Sequence, residues 1–163
     1  MKRKRSFRRA QAGFSLIELL IVVAIIAILA TVAVPRLMDS LKAGRESAAI
    51  QTLRTVHSGQ ATLQATKQRF GTLKELTEAG QLDPNYASGN PVSGYIYTSA
   101  AEVTQDKYCV QATRQEPSTA SRDFNVTEDG TIRFVESKSP GPIPHGEGAP
   151  LAGAGAAPGT GAK

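Results

Sequence analysis

Gly13-Phe14-Ser15-Leu16-Ile17-Glu18-Leu19-Leu20-Ile21-Val22-Val23-Ala24-Ile25-Ile26-Ala27-Ile28-Leu29-Ala30-Thr31-Val32-Ala33-Val34 carries one charge, the Glu18 carboxylate. Ahead of it stands Met1-Lys2-Arg3-Lys4-Arg5-Ser6-Phe7-Arg8-Arg9, which is strongly basic. Phe14 to Val34 is 21 residues, close to the roughly 20 that cross a bilayer as a helix. The Lys/Arg cluster on its N-terminal side places that end in the cytoplasm. A secretory signal peptide has a shorter apolar run, about 7–15 residues, ending in a small-x-small site. Thr31-Val32-Ala33 is a poor version of such a site. An ordinary uncleaved signal anchor is the plain alternative.

Glu18 separates these readings. A carboxylate inside an apolar helix costs about 2.5–3.5 kcal/mol at a bilayer centre and less near its face. A tether has no use for it. A filament subunit does, if cleavage after Gly13 frees a cationic amine on Phe14 for a neighbour's Glu18 to meet. Such a pair fixes register more than it stabilises.

The run from Gly13 through Ala30, extended to Pro35, resembles the prepilin processing motif of type IV pilins and type II secretion pseudopilins. The resemblance implies that a prepilin peptidase cuts between Gly13 and Phe14 and methylates the new N-terminus on Phe14. It also implies that Glu18 is the assembly carboxylate and that the subunit self-associates into a helical filament through pilus or type II secretion machinery. Storage in the bacterial inner membrane as a single-pass protein follows, then export into an extracellular pilus or a periplasmic pseudopilus. Pro35 lacks an N–H and clashes with the carbonyl four residues back, so a kink is expected near Thr31.

Composition read over the whole chain misleads. Of 19 basic residues in 163, six precede Gly13, and without them 13 basic residues face 14 acidic ones. The excess of +5 thus belongs to the leader and gives no support for nucleic-acid binding by the processed chain. The single cysteine, Cys109, excludes an intrachain disulfide and reads as a small buried hydrophobe.

Past Pro35 the pattern turns amphipathic. Ala49, Leu53, Val56, Gln60 and Leu63 alternate spacings of four and three, one stripe of a helix expected to run to about Arg69 and stop at Gly71. Arg45, Glu46, Gln51, Arg54, Lys67 and Gln68 are assigned to its polar surface. Gly44 and Gly59 weaken it locally, and His57 beside the stripe reads as a surface or groove histidine. Thr72 with Glu75 makes a capping box for a short helix to Ala79, closed by Gly80.

Four strand-like runs follow, at Gly94–Thr98, Lys107–Ala112, Asp123–Thr127 and Thr131–Val135. The last two flank Glu128-Asp129-Gly130, a hairpin turn. Phe124, Val126, Ile132 and Phe134 share a face that should meet the helix stripe in a single-layer sheet with one dry side. From Ser137 onward lie five of the nine prolines and seven of the 15 glycines, so a disordered tail is expected.

The fold class is therefore α+β, a long N-terminal helix on a small antiparallel sheet, as the pilin resemblance also implies. The parts are a leader (1–13), a membrane and assembly helix (14–35), an amphipathic half (36–70), a loop-and-sheet head (71–136) and the tail (137–163). No nucleophile–base pair, phosphate loop, dinucleotide fingerprint or zinc spacing is present, so neither enzyme activity nor a cofactor is expected. Asp83, Asp123, Glu128 and Asp129 lack calcium-loop spacing, and no metal site is assigned. The function expected is that of a structural pilus subunit serving adhesion, motility or uptake. A pseudopilin of a type II secretion system is the near alternative, and a membrane-tethered binding module the distant one.

Overall fold

The computed structural model describes residues 14–100 and 103–151. Two compact units are present, one up to Asp39 and one from Ser40. Helix α1 covers Leu16–Lys67, α2 covers Leu73–Glu78, and a 3-10 turn spans Pro84–Ala87. The strands are β1 (Tyr95–Ser99), β2 (Cys109–Arg114), β3 (Arg122–Thr127), β4 (Ile132–Glu136) and β5 (Ala149–Pro150). They form one antiparallel meander in chain order. The architecture is the α+β arrangement expected of a pilin-like chain.

In the first unit every described residue is exposed. Thr31 satisfies its own hydroxyl by donating to the Ile28 carbonyl at 2.6 Å, which lets a polar side chain sit on an apolar helix. Pro35 lies inside α1, which continues through it.

In the second unit the predicted stripe is the buried face of the helix. Ala49, Leu53, Val56, Gln60 and Leu63 are all buried, the four apolar ones in one core with Leu73, Leu76, Tyr95, Tyr97, Tyr108, Val110, Phe124, Val126 and Ile132. Two expectations change here. Glu46, assigned to the surface, is buried one helical step before Ala49. Gly59, expected simply to weaken the helix, is where α2 comes close: a Cβ there would stand 3.0 Å from the Leu76 side chain.

The helix also ends differently. It stops at Lys67, and Gln68 takes the left-handed conformation with φ 54°. Gly71 has another role, because the buried Gln60 carboxamide binds both its backbone groups, donating to its carbonyl and accepting from its N–H. The helix-to-α2 connection is thereby tied to the core.

α2 has the expected capping box, with Thr72 accepting from the Glu75 N–H while the Glu75 carboxylate accepts from the Thr72 N–H. Its end sits one residue earlier than expected. Ala79 is the C-cap and Gly80 follows at φ 70°. Gln81 N–H donates to the Leu76 carbonyl and Gly80 N–H to that of Thr77, the Schellman pattern that glycine makes inexpensive.

Arg69 also donates to Glu75. This bond, helped by the Thr72 N–H, holds the Glu75 carboxyl down to about 2. A depressed folded-state value means stability that is full above the ordinary carboxylate range and lost as pH falls toward 2. The ion-paired side chains are 43% and 30% exposed, so solvent screening keeps the contribution of the pair small, and a glutamine at this position still completes the cap. Glu75→Gln is expected to unfold earlier in urea than the parent at pH 6, with the two midpoints converging by pH 2–3. A gap that stays constant with pH would count against the pairing.

The sheet's inner face is the predicted one. Tyr97, Ala112, Phe124 and Phe134 are successive register partners, as are Val110, Val126 and Ile132. Its outer face corrects an expectation. The row Thr98, Gln111, Asn125, Arg133 runs across the strands in the alternate phase, and Gln111 and Asn125 are buried. The cover is residues 137–151, assigned above to a structureless tail. Ile143 is 2% exposed, Gln111 Nε2 donates to its carbonyl at 2.8 Å, and Asn125 Nδ2 donates to the Pro144 carbonyl at 3.0 Å. β5 then pairs with β4, and Leu151 N–H donates to the Ile132 carbonyl. The ordered head therefore extends past Glu136 to Leu151; the rest of the expected tail, 152–163, lies outside the described residues.

Candidate functional site

The segment singled out by the sequence begins at Phe14, which is 80% exposed. Gly13, the residue on the other side of the expected cut, lies outside the described residues. α1 starts two residues later, its first turn supported by Glu18 and Leu19 N–H groups donating to the Ser15 carbonyl. Glu18 falls in that first turn, where the unpaired N–H groups favour a negative charge. Its side chain is exposed, as are its neighbours.

From Phe14 to Leu41 the large apolar side chains on all sides of the helix are exposed, among them Ile17, Ile21, Ile25, Ile28, Val32 and Leu37. The helix is long and apolar enough to cross a membrane. A helix apolar all round has no use for water as its final solvent; it is built for lipid or for burial among other helices. From Phe14 to Val34 the run carries one carboxylate, at its N-terminal end, and no other charged position.

Several ionisable groups of the head have structural partners. Asp83 caps the 3-10 turn by accepting from the Asn85 N–H. Asp129 accepts from Thr127 Oγ1, the Thr131 N–H and Arg133, and these donors hold its carboxyl well below the usual range against the opposing effect of burial. Glu128 faces His145 Nε2 at 2.8 Å and the Tyr108 N–H at 3.4 Å. His57 Nδ1 lies 2.6 Å from the Tyr108 hydroxyl and fills the space under the turn glycine, Gly130. Cys109 is buried, and burial followed by the nearby Glu128 pushes its thiol up to about 11. That is the signature of a packing residue and not of a nucleophile.

Sequence reasoning missed the head's main polar anchor. Asp123 Oδ1 accepts from the Arg114 N–H and Nε, Oδ2 accepts from Arg114 Nη2 and the Gly141 N–H, and Arg114 Nη1 donates to the Ala120 carbonyl. The two side chains are 1% and 2% exposed. Alongside, Glu46 on α1 accepts from the Ser121 N–H and from Arg122 Nε at 2.8 Å, and Arg45 donates to the Thr119 carbonyl. The loop between β2 and β3 is thus pinned to helix, sheet and C-terminal segment. A signal existed: Arg114 is in phase with Val110 and Ala112, and Arg122 with Phe124 and Val126, so both arginines sit on the dry-face register and need buried partners.

Comparison with known proteins bears on the same N-terminal segment. Residues 8–34 match the family described as the prokaryotic N-terminal methylation motif. The chain is also 29% identical over 126 residues to a Pseudomonas aeruginosa protein named "Fimbrial protein", an alignment covering 55% of this chain and 79% of that one.

Proposed function

We propose that this chain is a type IV pilin-like structural subunit, a reading supported by the match to the prokaryotic N-terminal methylation motif and the likeness to a fimbrial protein. It is made as a prepilin, cut between Gly13 and Phe14 by a prepilin peptidase, and methylated on Phe14. It waits in the inner membrane through Phe14–Val34 and is then polymerised into a surface filament with α1 as the packed core. The observation that carries the reading is the run of exposed apolar side chains from Phe14 to Leu41 with Glu18 in its first turn. Lipid solvates that surface before assembly, and neighbouring helices bury it afterwards.

Glu18 has a defined part in this course. In the filament its carboxylate meets the Phe14 amine of a neighbouring subunit, which compensates a charge otherwise buried among apolar helices. Pro35 leaves the Thr31 carbonyl without its usual helical donor, so the backbone can bend there as subunits pack. Discarding residues 1–13 removes the basic block, which belongs to membrane orientation and not to the finished filament.

Expression with and without prepilin peptidase tests the first step. Intact-mass measurement should find the chain short by residues 1–13 and heavier by one methyl group on Phe14 when the peptidase is active. A full-length Met1 form persisting beside active peptidase would return the chain to the uncleaved-anchor reading.

A further inference from the structure

The segment Ser137–Leu151 has an unusual relation to the face it covers. It is held on the outer side of the sheet by Gln111 and Asn125, which stand in the row Thr98, Gln111, Asn125, Arg133, polar throughout. Two carboxamides in that row read main-chain carbonyls. Gln111 Nε2 donates to Ile143, and Asn125 Nδ2 donates to Pro144, with longer approaches to Ile143 at 3.5 Å and Glu147 at 3.4 Å. Asn125 Oδ1, on a residue with no exposed surface, has no hydrogen-bond partner among the described residues. Donors aimed at backbone carbonyls recognise an extended chain as such, and the prolines at 140, 142 and 144 keep that chain extended.

The apolar part of the contact is small. Ile143, the buried side chain of the segment, lies outside the main core, and the half-buried Leu151 at the segment's end packs against that core. Beyond it the strap is fixed by Gly141 N–H on Asp123, by His145 on Glu128 and by the two-residue strand β5. If the strap lifts, a polar face meets water and the core gives up Leu151, a half-buried neighbour, while its buried side chains stay packed between helix and sheet. Its root does not move with it, because Arg114 Nη2 donates to the Ser137 carbonyl from inside the head. From Lys138 to Leu151 the freed arm reaches about 45 Å when extended.

We propose that this strap is exchangeable, and that it docks on the outer sheet face of a second copy of the chain through the contacts it makes on its own. Each contact named above joins strap to face, so a neighbour's face offers the same partners. Exchange of an identical element between copies is a low-cost route to association. Packing in a filament raises the local concentration of that second face, and in this respect the inference rests on the filament reading.

Arg133 and Pro150 are register partners between β4 and β5, which suits a reporter disulfide. In a Cys109→Ala background, R133C and P150C are placed on separate chains, one isotopically labelled, and the chains are co-assembled and oxidised. A linked peptide joining residue 133 of one label to residue 150 of the other is expected, beside an intrachain link when both substitutions share a chain. Filaments that form without any mixed-label 133–150 peptide would overturn exchange. The same mixed peptide from chains that, beside active prepilin peptidase and assembly machinery, still build no filament would uphold exchange and remove the filament reading alone.

A second measurement uses the unaltered full chain, so that a misfolded variant does not decide the matter. A fluorescent peptide of residues 138–151 should bind saturably to the whole protein in detergent and be displaced by unlabelled peptide. Asn125→Ala, with thermal unfolding of the chain checked, should weaken it about tenfold. No saturable binding to the unaltered chain at high micromolar peptide would overturn the proposal.

Discussion

Asp123→Ala is expected to destabilise the head by about 3–5 kcal/mol, the range for removing one partner of a buried ion pair. The carboxylate takes four donors, three from Arg114 and one from the Gly141 N–H. Without it the guanidinium stays buried with the Ala120 and Ser137 carbonyls and the Ser137 hydroxyl, neutral groups that do not cancel a full charge. The effect should spread, because Asp123 joins the β2–β3 loop to the strap. Urea unfolding in detergent measures the loss, and hydrogen exchange at Gly141 should rise with it. The paired change Arg114→Met with Asp123→Leu leaves no orphaned charge and should cost much less than Asp123→Ala alone. Equal losses from the single and double variants would mean that packing, and not charge compensation, governs the site.

This anchor also shows where the sequence was legible. Helix stripe, strand alternation, capping box and Asp-Gly hairpin are local periodicities set by backbone geometry, and the stripe from Ala49 to Leu63 and the four main strands lie within a few residues of expectation. Glu46 was misassigned because a lone carboxylate on a helix carries no sign of its partner, and Arg122 is 76 residues away. The strap was illegible for a different reason. Its order comes from carboxamides on β2 and β3 that grip backbone carbonyls, which any sequence possesses, so proline and glycine content alone suggested a loose tail. Local pattern revealed the elements; the polar contacts between distant segments that lock them had to be seen.

The N-terminal segment is legible from its own composition: a basic block, Gly13-Phe14, one carboxylate and a long apolar run. Structure adds that its apolar surface is exposed on all sides and that Glu18 sits in the first helical turn. Neither fact depends on the head. A variant in this segment can therefore separate assembly from folding.

Glu18→Ala is expected to leave membrane insertion intact and to cut filament incorporation about tenfold or more, the change that corresponds to some 1.4 kcal/mol per subunit contact. Insertion should not suffer, since removing a carboxylate from an apolar helix lowers the cost of entering lipid. Assembly should suffer twice. The neighbour's Phe14 amine loses its counter-charge among apolar helices, and the feature that sets axial position along an otherwise uniform surface is gone. Glu18→Gln keeps the shape without the charge and should fail nearly as badly, whereas loss of packing alone would leave it close to normal. Carbonate extraction of membranes measures the first quantity, and the sheared filament fraction the second. Normal filament yield from Glu18→Ala would remove the ion pair from the account. Poor insertion of the same variant would move the role of Glu18 from assembly to the membrane step. The pairing reading requires both halves: a helix that enters the membrane at least as well as before, and subunits that no longer find their register once there.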